Sequence, residues 1–166
     1  MQRKRFDTMA CPIARGLDRV GEWWSILILR DAFAGMTRFE QFEKSLGIAP
    51  AMLTRRLKSL VANGLLARQR YSEKPPRDEY RLTAKGADFR PVLITLMTWG
   101  NAHFSPEGAQ SIFVDTRTGL QARPVLVDEA TGQKLEGPDF KLAPGPGAGA
   151  GMRLRIANSR LLGASA

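Results

Sequence analysis

Between Trp23 and Phe33 the chain is apolar almost all round, WWSILILRDAF, the pattern of a helix buried against several neighbours. The segments around it are one-sided. Ile13, Leu17 and Val20 mark an apolar stripe on a helix that opens at Cys11-Pro12, where proline is tolerated at the first helical position, and Gly21 ends it. Phe39, Phe42 and Leu46 supply the buried side of a third helix. Its expected cap is Thr37, with Glu40 three residues on as capping-box partner, and Gly47 closes it. The next helix, Pro50 to Asn63, buries Leu53, Leu57, Leu60 and Val61 at spacings of three and four before Asn63-Gly64 stops it in left-handed geometry. Ala51, Thr54, Arg55 and Lys58 then face outward, with Arg56 on the shoulder.

After Gly64 the period changes from helical to alternating. Leu65 to Tyr71 and Asp78 to Leu82 read as two strands joined by a stiff Ser-Glu-Lys-Pro-Pro-Arg loop. Thr83 caps a long last helix reaching about Phe104, with Phe89, Leu93, Leu96 and Trp99 on one seam and Pro91 as a kink. Such an apolar helix, following a complete small domain, calls for a partner surface. From Ser105 the composition shifts to a linker and short β-like pieces, in which Val114 to Gly119 recurs as Val127 to Gly132, thirteen residues later. Two tight hairpins are the simplest structure for that repeat. The run PGPGAGAG from Pro144 to Gly151 reads as a flexible tether.

The expected architecture is therefore mainly α with a small β-hairpin wing, a winged helix-turn-helix, plus a C-terminal β-hairpin extension. Four segments follow: a basic arm at 1–10, the winged domain at 11–104, a metal-free ribbon-like extension at 105–143, and a flexible Pro/Gly/Ala-rich tail at 144–166. Charge agrees with this division. The net charge is +9, with 18 lysines and arginines against 10 carboxylates in residues 1–104 and 7 against 6 in 105–166, so a polyanion would meet the first part. A single cysteine excludes an internal disulfide, and the chain has neither the apolar run of a signal peptide nor the ~18 apolar residues of a membrane span. A cytoplasmic protein without a membrane partner is expected.

A helix, a glycine turn and a second helix place that second helix in the major groove of double-stranded DNA. Pro50 and Ala51 open it. Arg55 is suited to a guanine edge, Thr54 to a thymine methyl or a phosphate, and Lys58 to phosphate. Thr37 and Arg38 start the supporting helix, where amides and dipole attract phosphate, and Lys74 and Arg77 stand at the wing tip. The alternative, a merely solvated basic face, loses weight because the turn precedes this helix and the wing follows it.

Cys11-Pro12-Ile13, Gly21-Glu22-Trp23-Trp24-Ser25, Ile26 to Asp31, Arg38-Phe39, Leu53 to Leu57, Asn63-Gly64-Leu65, Pro75-Pro76-Arg77, Glu79-Tyr80 and Leu82 to Gly86 together resemble the HxlR-type winged helix-turn-helix regulators, relatives of the MarR and ArsR families. The resemblance covers residues 11 to about 104. It implies a transcriptional regulator, more often a repressor, that forms a homodimer through the first and last helices of the domain and binds an inverted-repeat operator. Two departures stand out. Ala49 occupies the cap position where similar sequences carry serine, and Glu22 replaces the second of two glycines, a change to which no effect on DNA binding is attached.

Cys11 lies at a helix N-terminus near Arg15, where a thiolate is stabilised, and some regulators similar to this chain sense oxidants at this location. Its other reading is a small residue packed at a dimer interface. Trp23, Trp24, Phe89 and Trp99 are candidates to line a pocket for a small-molecule effector, or else belong to core and dimer seam. Asp115, Thr118, Asp128 and Thr131 occupy the positions that cysteines hold in a zinc ribbon, but threonine is a poor zinc ligand, so tight turns are expected and no metal. No cofactor motif is present, and the lone His103 at a helix end has no nucleophile or acid partner, so no enzyme is expected. A protein-docking winged helix without specific DNA binding is the other function class.

Overall fold

The computed structural model describes residues 6, 8–136 and 139–158. Most of the expected basic arm and the last eight residues of the tail lie outside the described residues. In chain order the elements are α1 (Pro12–Val20), α2 (Trp23–Phe33), α3 (Phe39–Leu46), α4 (Pro50–Ala62), β1 (Leu66–Glu73), β2 (Pro76–Leu82), α5 (Ala84–Ala87), α6 (Arg90–Phe104) and α7 (Ala150–Ala157). They divide between a first unit built on Ile13–Leu96 and a second built on Met97–Ala166.

In the first unit α2 is central and packs against α3, α4 and β2. Ile28 and Leu29 meet Phe42, Leu53, Leu57 and Leu60, all 0% exposed, and burying each stabilises the fold by about 1.5–3 kcal/mol. Trp24, Phe89 and Leu93 pack around this core. One end of α2 departs from the all-round pattern, since Trp23 is 73% exposed. On α1 only Val20 is buried, whereas Ile13 is 74% and Leu17 48% exposed.

The antiparallel hairpin is longer than expected. Ser72 and Glu73 pair with Arg77 and Pro76, leaving Lys74-Pro75 alone as the loop, and the register slips between Arg70 and Ser72. Pro76 fits because it is the first residue of an edge strand, where a missing N–H costs nothing. The last helix also differs. It divides at Asp88-Phe89, so Pro91 sits in the first turn of α6 instead of kinking a continuous helix.

α5 is pinned to the C-terminal end of α4. Thr83 accepts from the Gly86 amide and donates its hydroxyl to Gly64 O at 2.6 Å, while Lys85 Nζ donates to Asn63 O at 2.9 Å. These bonds satisfy carbonyls that the end of α4 leaves unpaired. A Cβ on Gly86 would overlap the Leu65 carbonyl oxygen.

In the second unit the repeated segments form two tight turns. Asp115 accepts from the Arg117 amide at 2.8 Å and Asp128 from the Thr131 amide at 2.9 Å, with Gly119 and Gly132 left-handed at φ 72° and 69°. Each turn closes on a single bridge, Val114 with Gln121 and Val127 with Lys134, so the expected hairpins do not extend into strands among the described residues. No described residue beyond Phe104 is buried, and without a buried face a two-stranded ribbon has little to hold it. Part of the stretch read as flexible tail is helical. Residues 144–149 stay irregular, but α7 begins at Ala150 and takes in Gly151 and the following MRLRIA.

Candidate nucleic-acid interface

Three leucines decide which way α4 faces. With Leu53, Leu57 and Leu60 inward, Pro50, Ala51, Thr54, Arg55 and Lys58 are all exposed, and among the described residues neither Arg55 nor Lys58 is in an ion pair. Pro50 occupies the first turn, and Ala49 at the cap offers no side-chain acceptor. Arg56 behaves differently from its neighbour. Its side chain is 13% exposed and its terminal nitrogen lies 3.0 Å from Glu22 Oε2. The sequence reading attached no consequence to Glu22; here it contacts the helix that carries the candidate base-reading residues.

The wing sorts its cations by position. On the strands Arg68 and Arg70 both bond Asp78, Arg70 also lies 3.6 Å from Glu73, and Arg81 bonds Glu79 at 2.7 Å. The Arg68 hydrogen bond, reinforced by Arg70, holds the Asp78 carboxyl below its ordinary value, and Arg81 does the same for Glu79. At the tip, Lys74 and Arg77 are exposed and, among the described residues, in no ion pair. The strand arginines are thus largely neutralised locally, and the tip keeps its charge.

Thr37 and Arg38 tie the wing to α3. Tyr80 N donates to Thr37 O at 2.7 Å, Arg38 is bridged to Glu79 through the backbone, and the Arg38 guanidinium lies 4.7 Å from the centre of the Tyr71 ring. Tyr71 stands at the register slip, where a bulge redirects a side chain. The cap of α3 is Arg38 and not Thr37, and the side chain reaching back is Gln41 and not Glu40: its Oε1 accepts from the amides of Thr37 and Arg38 at 3.0 and 2.9 Å. Those two amides, expected to face a phosphate, are therefore satisfied internally. Gln41 and Tyr71 were missed in the sequence, although Gln41 stands at cap-partner distance from Arg38.

Trp24 and Phe89 pack against the core, Trp23 is exposed, and Trp99, in the second unit, is exposed with its ring edge-on to Phe104 at 4.9 Å. Cys11 is a half-buried thiol outside any disulfide.

The model of the HxlR-like helix-turn-helix family matches residues 19–108. An HTH-type transcriptional regulator of Mycobacterium tuberculosis is 40% identical over 135 residues, 81% of this chain and 85% of that protein. The solved structure of a candidate transcription factor from Pseudomonas aeruginosa is 49% identical, covering 88% of this chain and 100% of its own, with a TM-score of 0.63. The redox regulator HypR in its oxidized form is 32% identical, covering 56% of this chain and 97% of its own, with a TM-score of 0.53.

Proposed function

The chain belongs to the HxlR-like helix-turn-helix family of DNA-binding transcriptional regulators, and from that premise we propose that it acts as a homodimeric repressor on an inverted-repeat operator. Helix α4 of each subunit enters the major groove, where Thr54 and Arg55 read bases and Lys58 meets the backbone. The wing tip, through Lys74 and Arg77, grips the flanking phosphates, while Thr37 and Arg38, their amides held by Gln41, join the start of α3 to the wing. What carries this reading is the separation of charges: the α4 face, Lys74 and Arg77 hold cations without carboxylate partners among the described residues, while Arg68, Arg70 and Arg81 further along the wing strands are paired.

Selection of duplexes from a random-sequence library, followed by affinity measurements against salt, tests it. With about three phosphate contacts per subunit, the logarithm of affinity should fall against the logarithm of salt concentration with a slope near ~5. Salt-independent binding defeats the mechanism, and failure to enrich any duplex favours the protein-docking class.

The signal is a second question, and the likeness to a redox regulator favours Cys11 over an effector bound near Trp23 and Trp99. Cys11→Ser should bind the selected duplex as the unmodified chain does and should lose any response to peroxide. A peroxide response that survives the substitution removes Cys11 from the role.

A further inference from the structure

Two adjacent arginines on α4 do opposite things. Arg55 lies in solvent, whereas Arg56 turns inward onto Glu22, and its buried Nε meets no hydrogen-bond partner among the described residues. Glu22 is the residue just before α2, at a corner that requires glycine beside it: Gly21 N donates to Leu17 O at 2.6 Å, and a Cβ on Gly21 would overlap that same oxygen. From this corner Arg19 also reaches α4, donating to Asn63 Oδ1 at 2.9 Å. Residues 56 and 63 are two helical turns apart, so both ties grip one side of α4.

Stability alone does not account for the pair. Replacing a buried ion pair by well-packed apolar side chains is often neutral or stabilising, because both charges must be stripped of water. What an ion pair adds is direction. Leucines at 53, 57 and 60 set which side of α4 is buried; a guanidinium held to one carboxylate adds a directional contact that fine-sets the roll of the helix within that packing.

We propose that Glu22 and Arg56 are positioning residues for base readout: together they fix the roll of α4 that aims Thr54 and Arg55 at base edges, and neither touches DNA. The inference rests on the reading of α4 as the groove helix. A loss of the pair leaves the phosphate-binding cations in place and turns the base-reading side chains off their targets, so discrimination falls while general affinity stays.

The test is a double-mutant cycle with Glu22→Gln, Arg56→Gln and both together. Each protein is measured against the duplex that the unmodified chain enriches from a random library and against an unrelated duplex of equal length, with a salt titration and a thermal melt. Each single substitution should lower affinity for the enriched duplex about tenfold, and the double should lose no more than the worse single. Affinity for the unrelated duplex, and the salt slope, should match the unmodified chain. If Arg56→Gln does not fold, Arg56→Lys, which keeps the charge without the planar fork, replaces it and should show the same selective loss.

Three outcomes overturn the proposal. Additive losses break the coupling. A flattened salt slope on Arg56→Gln with a silent Glu22→Gln makes Arg56 a phosphate contact. Equal losses on both duplexes alongside a lowered melting point make the pair merely structural. A fourth, enrichment of no duplex by the unmodified chain, removes the groove reading and this inference together, whereas each of the first three removes this inference alone.

Discussion

Each arginine of this surface is defined by what stands beside it. Arg55 has no carboxylate neighbour among the described residues, so Arg55→Ala should cost ~1–3 kcal/mol at one base pair and relax preference there, while Lys74→Ala should weaken all duplexes alike. Competition binding with single-base variants of the selected duplex checks both, and equal losses on selected and random DNA for both variants would remove these roles. Asp78 works in the opposite sense. Because Arg68, and then Arg70, hold its folded-state carboxyl below the ordinary 3.8, its contribution to stability is complete above that value and disappears as pH falls through the lowered one. The wing should therefore be insensitive to pH near neutrality and loosen only in acid, as amide exchange along β1 and β2 would report. Asp78→Asn should release two guanidinium groups and steepen the salt dependence of binding to random DNA; an unchanged slope would mean that those strands do not approach the duplex.

At the scale of elements, the contact between α5 and the start of β1 is the least tolerant. Gly86→Ala forces a methyl into the Leu65 carbonyl and should cost ~1–3 kcal/mol, read as a lowered thermal midpoint, with the outer face of α4 chemically unchanged. The limits of α2 and α4 were legible because apolar spacing and stop signals coincide, at Trp23 to Phe33 and from Pro50 to Gly64. The break between α5 and α6 was not, since Asp88-Phe89 interrupts nothing in the apolar seam and Pro91 suits a kink as well as a first turn. The cap of α3 shifted by one residue because the carbonyl of Thr37 is taken by Tyr80 N, a strand contact that local sequence does not contain. The site divides in the same way. Thr54, Arg55 and Lys58 follow from the leucine spacing, whereas Glu22 against Arg56 and Arg38 against Tyr71 join residues linked by no period.

For the molecule as a whole, the question is what covers the apolar residues that one chain leaves open. In the first unit Ile13, Leu17, Trp23, Val92 and Leu96 are all exposed. A second copy is the expected cover. Leu96→Glu should shift sedimentation toward monomer and weaken binding to a two-half-site duplex while sparing a single half-site; a variant that remains dimeric would take α6 out of the interface. The Glu22–Arg56 contact has a further consequence, in descent. Loss of Glu22 leaves the Arg56 guanidinium, 13% exposed, without this carboxylate. A chain with glycine at position 22, as in the similar sequences, lacks this contact, so two positions 34 residues apart should set how sharply such chains differ in discriminating base pairs.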